Sequence, residues 1–212
     1  MIVARKVLMM FVMAATAAGV FVASAARADN VVDEWSNVKP PPAPALRPVT
    51  PDAKTTALLM LDFMNQNCGQ RPRCMNSIPV VKKLLTDARA KGMPVVYSII
   101  ANTTTADIIK DVAPVAGEPW VQASVDKFVR TDLEKILQEK GIRTVIVVGT
   151  AAQGAVLYTG SAAAMRGLSV VVPVDGISSE PYAEQLSIWL LANGTGGIGP
   201  RVTLTKIDLI KF

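Results

Sequence analysis

Asp62 is the residue of this chain best placed to do chemistry. It lies near the end of the apolar run ALLMLDF, residues 57–63, which is typical of a strand buried on both faces of a parallel sheet. Open parallel sheets carry their binding sites at the carboxyl ends of the strands. A carboxyl group buried there has a raised pKa and is suited to donate or accept a proton. The competing interpretation is an acid that only caps the following loop.

Few other side chains offer nucleophilic or metal-binding chemistry. The chain has no histidine, which removes the commonest general base and the commonest transition-metal ligand together. Its two cysteines, Cys68 and Cys74, enclose the polar loop GQRPR. In an oxidising compartment such neighbouring thiols form a disulfide, so we expect these two to be paired and not to act as nucleophiles. We expect no bound metal and no cofactor.

Strand and helix patterns alternate from residue 57 onward. The predicted strands cover residues 57–63, 93–100, 144–148, 168–174 and 202–207, and the predicted helices cover residues 78–91, 131–140, 155–166 and 182–192. Elements of these lengths in alternation imply right-handed βαβ units. We therefore predict a Rossmann-like three-layer α/β/α sandwich with a mainly parallel sheet. Thr131 and Glu134 are expected to form a capping box at the start of the second helix.

A glycine-rich segment, Gly194–Gly199, matches the dinucleotide-binding pattern G-x-G-x-x-G. That pattern binds phosphate where a strand precedes it and a helix follows. Here a predicted helix precedes it, and Pro200 and a predicted strand follow. The segment is therefore predicted to be a connection and not a nucleotide site.

The first residues have the three parts of an export signal. Arg5 and Lys6 precede an apolar run, residues 7–23, and Ala26–Ala28 provides a small-x-small cleavage site. We expect residues 1–28 to be a cleaved signal peptide and the protein to be periplasmic or secreted; an uncleaved membrane anchor is the alternative. Residues 29–54, which contain KPPPAPALRPVTP, are predicted to be a Pro-rich arm or linker, and residues 55–212 to form one domain.

The charge balance indicates which partners to expect. The whole chain carries a formal net charge of +5, from 22 basic and 17 acidic residues. Loss of residues 1–28 removes three basic residues, leaving 19 basic against 17 acidic residues and a net charge of +2. Because there is no basic block, we expect no nucleic-acid partner and, after signal cleavage, no membrane partner. We expect a small-molecule ligand or substrate instead.

Three segments within residues 55–178 occur in a distinctive order. They are LLMLDFMN, SVDKFVRTDLEKILQEKGIRTVIVVGT and GTAAQGAVLYTGSAAAMRG. Together they resemble the isochorismatase-like, or cysteine hydrolase, superfamily. The resemblance implies the isochorismatase-like hydrolase fold, in agreement with the alternation of elements, and a homo-oligomer. Amidase members of that superfamily use an aspartate, a lysine and a cysteine whose thiolate attacks a carbonyl carbon.

Each member of that triad has a separate outcome in this sequence. Asp62 matches the family aspartate. An ungapped alignment of the family's F-x-x-T-x-L pattern places Gln122 at the lysine position, while Lys127 either enters the pocket by a different loop path or stays in solvent beside a helix. Ala155 occupies the cysteine position, where a methyl group cannot attack a carbonyl. Both a replaced cysteine and a natural lack of the thiol fit, and the departure at Gln122 favours the natural lack.

Two functions follow from the resemblance. True isochorismatases have glycine at the cysteine position and hydrolyse a vinyl ether by proton transfer from the aspartate, so Asp62 can serve an exported hydrolase without a thiol. In that hypothesis Gln122 or Lys127 is its polar partner, and backbone amides around Gly154 and Ala155 hold a negative oxygen. The other substrate-binding candidates are Phe63, Asn65, Trp120 and Ala151. The alternative is a catalytically inactive family member that binds a small ligand or a protein partner through the cleft.

Overall fold

The computed structural model describes residues 29–212, and the predicted signal peptide, residues 1–28, lies outside the described residues. Contacts divide the chain into two units, Met1–Pro42 and Ala43–Phe212. In the first unit, residues 31–37 form an exposed turn, in which the side chain of Asn30 accepts a hydrogen bond from the amide of Val32. The second unit contains the sheet and the helices.

Seven strands and four α-helices alternate along the second unit. The strands are β1 (Thr56–Leu61), β2 (Val95–Ile99), β3 (Trp120–Gln122), β4 (Thr144–Thr150), β5 (Ser169–Pro173), β6 (Ile177–Ser178) and β7 (Val202–Thr205). The helices are α1 (Pro72–Ala90), α2 (Leu133–Glu139), α3 (Leu157–Met165) and α4 (Pro181–Asn193). Short 3₁₀ turns fill several of the connections.

The strands form one parallel sheet in the order β3-β2-β1-β4-β5-β7, with β6 paired to the end of β4. All six residues of β1 are buried, because neighbouring strands flank it on both edges and helices cover both faces. Leu58 and Met60 pack with α1 on one face. Leu59 and Leu61 pack with α2 and α3 on the other face. The prediction of a three-layer α/β/α sandwich with a mainly parallel sheet is therefore confirmed.

Several local predictions differ from the structure. Helix α1 begins at Pro72, six residues earlier than predicted, and the short strands β3 and β6 were not predicted at all. Both strands have too few residues to show a periodic pattern. The capping box is wrong as well: the Thr131 hydroxyl donates to the carbonyl of Lys127, and the Glu134 carboxylate lies 3.1 Å from Nε of Arg166.

Two connecting segments have defined places. Gly194–Gly199 joins α4 to the 3₁₀ turn before β7, so its prediction as a connection is confirmed. Part of the predicted Pro-rich arm packs on the domain: the amide of Arg47 donates to the carbonyl of Leu204, and Val49 pairs with Ile210. Within residues 29–212, no helix combines the length and the apolar character that a membrane span requires.

Candidate active site

A cavity of about 440 Å³ opens at the carboxyl ends of β1 and β4. Its lining includes Asp62, four residues between Thr150 and Ala155, the loop after β3, and Arg71 beside the start of α1. Its size is that of an ordinary small-molecule site. Because parallel strands leave their last residues at one edge of the sheet, side chains that are distant in sequence meet at this place.

Asp62 is the first residue after β1 and is almost fully buried. Its backbone adopts a left-handed conformation with φ of 54°, which aspartate tolerates better than most residues. One carboxylate oxygen, Oδ1, accepts a hydrogen bond of 2.6 Å from the hydroxyl of Ser98 in β2. Burial raises the pKa of the Asp62 carboxyl group, and the neighbouring ammonium of Lys127 and the Ser98 hydroxyl oppose part of that rise.

Lys127 is the ion-pair partner of the second carboxylate oxygen of Asp62. Its Nζ lies 2.7 Å from Oδ2 of Asp62, and the side chain has no exposed surface. The ammonium also donates to the carbonyl oxygens of Ala123, at 3.1 Å, and Ser124, at 2.6 Å. These three acceptors match the three protons of an ammonium group, so Lys127 is held as a fully bonded buried cation.

Two threonines hold the backbone of Lys127 in place. The amide of Lys127 donates to Oγ1 of Thr159 in α3, at 3.2 Å, and its carbonyl accepts from the hydroxyl of Thr131. Thr159 in turn donates to the carbonyl of Val125. The loop that carries the lysine is therefore tied to α3 on one side and to the start of α2 on the other.

The structure corrects the prediction for the lysine position. Lys127, and not Gln122, contacts Asp62, and the interpretation of Lys127 as a solvated helix-flanking residue is wrong. Gln122 is exposed at the end of β3, and its side chain donates to the carbonyl of Ile100. The physical reason lies in the loop path: residues 123–126 turn back after β3, so the lysine that reaches Asp62 follows the strand end by five residues. Because the lysine is present as Lys127, Gln122 is no longer an argument that Ala155 is a natural replacement of the family cysteine.

Ala155 lies in the helical turn Ala152–Val156 immediately before α3, directly after a kink where Gly154 has non-helical backbone angles. Its methyl group is buried and lines the cavity, so the position of the family cysteine does face Asp62's cavity. The prediction that the backbone amides of Gly154 and Ala155 hold a negative oxygen is wrong for Gly154. The N–H of Gly154 donates to the carbonyl of Ala151 at 3.0 Å, which leaves it no proton for a negative oxygen.

The other predicted binding residues separate into two groups. Ala151 and Gly154 line the cavity. Phe63, Asn65 and Trp120 are not among the lining residues. Phe63 is buried in the core between the sheet and α1, Asn65 is exposed, and Trp120 is half exposed on the edge strand β3. All three are near Asp62 or the predicted lysine position in sequence, but nearness in sequence does not decide which way a side chain points.

The sequence analysis did not identify five polar residues of the site, namely Ser98, Asn67, Arg71, Ser124 and Thr150. Ser98 lies within an apolar strand, where nothing in the local pattern distinguishes it. Asn67 and Arg71 line the cavity from the segment around the disulfide, whose sequence pattern indicates only a polar loop. The disulfide itself is confirmed: Cys68 and Cys74 are bonded and buried, with their Cα atoms 5.2 Å apart.

Comparison with known sequences identifies the family of this chain. The model of the Isochorismatase domain matches residues 56–198. The isochorismatase family protein YaaI of Bacillus subtilis strain 168 is 27% identical over 145 residues, which cover 58% of this chain and 80% of that protein. The secreted isochorismatase effector Isc1 of Verticillium dahliae is 26% identical over 144 residues, which cover 61% of this chain and 76% of that protein.

A solved structure has the same fold. The crystal structure of N-carbamoylsarcosine amidase from Thermoplasma acidophilum superimposes with a TM-score of 0.62 at 22% sequence identity. The superposition covers 73% of this chain and 97% of the amidase. Because the domain model spans most of the parallel sheet and every strand-end residue of the cavity, the chain belongs to the isochorismatase family.

Proposed function

We propose that this chain is an exported hydrolase of a small molecule that works by acid/base catalysis through Asp62, without a thiol nucleophile. One observation carries the proposal: a buried Asp62–Lys127 pair opens on a cavity of about 440 Å³, in which an alanine methyl group occupies the nucleophile position. The family membership supports the class of reaction.

The energetics of the pair favour a functional role. The free energy needed to remove two opposite charges from water is often larger than the free energy that their attraction returns. A buried ion pair is therefore a poor way to stabilise a fold. A carboxyl group whose pKa is raised by burial and which lies beside a cavity has the properties of a proton donor or acceptor. Asp62 satisfies both conditions.

In the proposed mechanism water is the nucleophile, and Asp62 moves the proton. For a vinyl ether, the Asp62 carboxyl group donates its proton to the terminal vinyl carbon, and water adds to the resulting oxocarbenium carbon. The hemiketal then releases the alcohol, and Asp62 recovers a proton from the added water. For an ester or amide, ionised Asp62 takes a proton from the attacking water as it adds to the carbonyl carbon. Asp62 then returns that proton to the departing alcohol or amine as the acyl bond breaks. In both cases the ammonium of Lys127 stabilises the carboxylate form of Asp62.

Hydrolysis of a panel of small amides, esters and vinyl ethers tests the proposal. The unmodified protein is expected to turn over at least one class, and Asp62→Asn to lower kcat/KM by about 10²- to 10⁴-fold, the usual contribution of a general acid or base. Asp111→Asn is the matched control, because Asp111 is an exposed aspartate that pairs with Lys82 away from the cavity. Circular dichroism of each variant shows whether it is folded.

The second candidate is an inactive family member that binds a small ligand in the same cavity. The observation that favours it is Ala155, which removes the covalent route of the amidase relatives. No turnover by the unmodified protein, together with turnover by Ala155→Cys, supports this second candidate and contradicts the first. Retained turnover in Asp62→Asn contradicts the role of Asp62 itself.

Two features support export. A disulfide joins Cys68 and Cys74, and disulfides persist mainly in oxidising compartments. A similar protein, Isc1, is described as secreted. We place the mature N-terminus at Asp29, after the small-x-small site. The mass of the protein recovered from the periplasm or medium of an expressing bacterium tests this placement, and a full-length mass contradicts it.

A further inference from the structure

Arg71 is the one charged side chain lining the cavity that no opposite charge neutralises, among the described residues. The lining contains two charged side chains, Asp62 and Arg71. The charge of Asp62 is balanced by Lys127 at 2.7 Å. Within residues 29–212, no carboxylate lies within 4.0 Å of the Arg71 guanidinium. The cavity therefore has an excess of positive charge on its α1 side.

The guanidinium of Arg71 extends to the end of β4. Its Nη1 donates to Oγ1 of Thr150 at 3.3 Å, and this hydroxyl donates to the carbonyl of Ser178. The contact joins residues that are 79 positions apart in the sequence. An arginine has five N–H donors in a planar fork, so one contact with a hydroxyl leaves most of the fork available.

A neighbouring arginine, Arg73 in the first turn of α1, has a different environment. Arg73 binds both carboxylate oxygens of Glu184 in α4, through Nε at 2.9 Å and through Nη2. The charge of Arg73 is therefore neutralised by Glu184 within the fold. Arg71 and Arg73 are two residues apart, both lie between the bonded cysteines, and only Arg71 lines the cavity.

The disulfide fixes the backbone that carries Arg71. Cys68 and Cys74 are both fully buried. The amide of Arg71 donates to the carbonyl of Cys68 at 2.9 Å, and its carbonyl accepts from the amide of Met75 at 3.1 Å. A guanidinium on an anchored backbone loses less conformational freedom when it binds a ligand.

We propose that Arg71 forms an anion subsite, which binds a carboxylate group of the ligand while Asp62 faces the part of the ligand that reacts. The subsite rests on the proposed function, because it assigns a charge to the ligand of the same cavity. A carboxylate accepts two parallel hydrogen bonds from the guanidinium fork, and such charge-assisted pairs are stronger than neutral hydrogen bonds.

Binding of matched probe pairs tests the subsite independently of turnover. The probes are succinamate with succinamide and benzoate with benzamide, each titrated into the full chain and followed by NMR. We expect the carboxylate of at least one pair to bind about tenfold more tightly than its amide, a preference typical of a charge-assisted contact. Absence of a carboxylate preference in both pairs, including absence of binding, overturns the subsite.

Three variants locate the preference. Arg71→Gln is expected to abolish it, and Arg71→Lys to keep part of it, since lysine retains the charge but not the fork. Arg73→Gln is the matched control and is expected to keep the whole preference, because Arg73 pairs with Glu184 outside the cavity. An undiminished preference in Arg71→Gln overturns the subsite.

The two proposals fail separately. A protein with no turnover that still prefers the carboxylate probes lacks the proposed function and keeps the subsite. A protein that turns over a substrate through Asp62 but shows no carboxylate preference keeps the proposed function and lacks the subsite. Asp62→Asn is expected to lose turnover while it keeps the preference for carboxylates.

Discussion

Two networks of charged and hydroxyl groups meet at β2, and only one of them faces a cavity. Ser98 of β2 binds Asp62, which pairs with Lys127. The preceding residue, Tyr97, points to the opposite face of the sheet and binds Arg89. Both networks are well bonded, so hydrogen bonding alone does not distinguish them.

The Arg89 network connects α1 to the segment before β3. Arg89 binds both carboxylate oxygens of Glu118, at 2.8 and 2.7 Å, as well as the carbonyl of Ala113 at 3.0 Å. Its Nη2 also donates to the hydroxyl of Tyr97 at 3.0 Å. Burial raises the pKa of Tyr97 well above its usual value, and the Glu118 carboxylate raises it further.

The difference between the networks is access. Asp62 lines the cavity, whereas Tyr97, Arg89 and Glu118 are absent from its lining. A raised pKa therefore occurs in both, but only Asp62 is in reach of a ligand. A perturbed pKa indicates function where a cavity reaches the group, and otherwise reflects packing.

The largest expected effect on stability comes from Lys127→Met. It leaves the Asp62 carboxylate buried without its ammonium, and loss of one partner of a buried pair costs about 3–5 kcal/mol of unfolding free energy. Urea denaturation at pH 7 measures this. Arg89→Met is the matched change in the other network and is expected to cost less, because the Arg89 side chain is 29% exposed and the pair is reached by solvent.

A double variant sharpens this test. Asp62→Asn combined with Lys127→Met removes both charges, so it is expected to recover part of the stability lost in Lys127→Met alone. Equal losses in Lys127→Met and Arg89→Met would contradict the contrast between a fully buried lysine and a partly exposed arginine.

The second expected effect is a pH dependence that belongs to Asp62. Its folded-state pKa is raised, so its contribution to stability is fully present below its unfolded pKa of about 3.9 and is lost as the pH rises through the folded-state pKa. The unfolding free energy of the unmodified protein relative to Asp62→Asn should therefore decrease with rising pH in that window. An increase over the same range contradicts a raised pKa.

Tyr97 supplies the comparison for this pH series. Its pKa is also raised, but from a starting value of 10.0, so its hydroxyl stays protonated in both states at acid and neutral pH. The difference in unfolding free energy between Tyr97→Phe and the unmodified protein is expected not to change with pH below about pH 9.

The smallest expected effects come from the paired changes Ser98→Ala and Tyr97→Phe. Each removes one hydroxyl hydrogen bond, which is worth about 1 kcal/mol of stability. Ser98→Ala is expected also to lower kcat/KM, because it releases Oδ1 of Asp62, while Tyr97→Phe is expected to leave kcat/KM within twofold, an estimate from its lack of cavity contact. Equal activity in both variants would place Ser98 outside the catalytic network.

Much of the fold was predictable because its signals are local. Strand β1 is a continuous apolar run, and the helices follow a 3.6-residue repeat. These patterns identify each element from its own sequence, without knowledge of the elements that pack against it. The acid at the end of β1 and the disulfide between Cys68 and Cys74 were predictable for the same reason. Strands of two or three residues, such as β6 and β3, carry no such pattern.

The sequence by itself determined the α/β architecture, the position of Asp62 at a strand end and the lack of a thiol at position 155. Only the tertiary structure decided that Lys127, and not Gln122, completes the pair, and that Arg71 reaches the cavity. The physical reason is that strand and helix patterns depend on near neighbours, whereas an ion pair across 65 residues depends on the path of a loop. That path is held by the hydroxyl of Thr131, which is four residues away, and by the hydroxyl of Thr159 in α3, a contact that exists only in the tertiary structure.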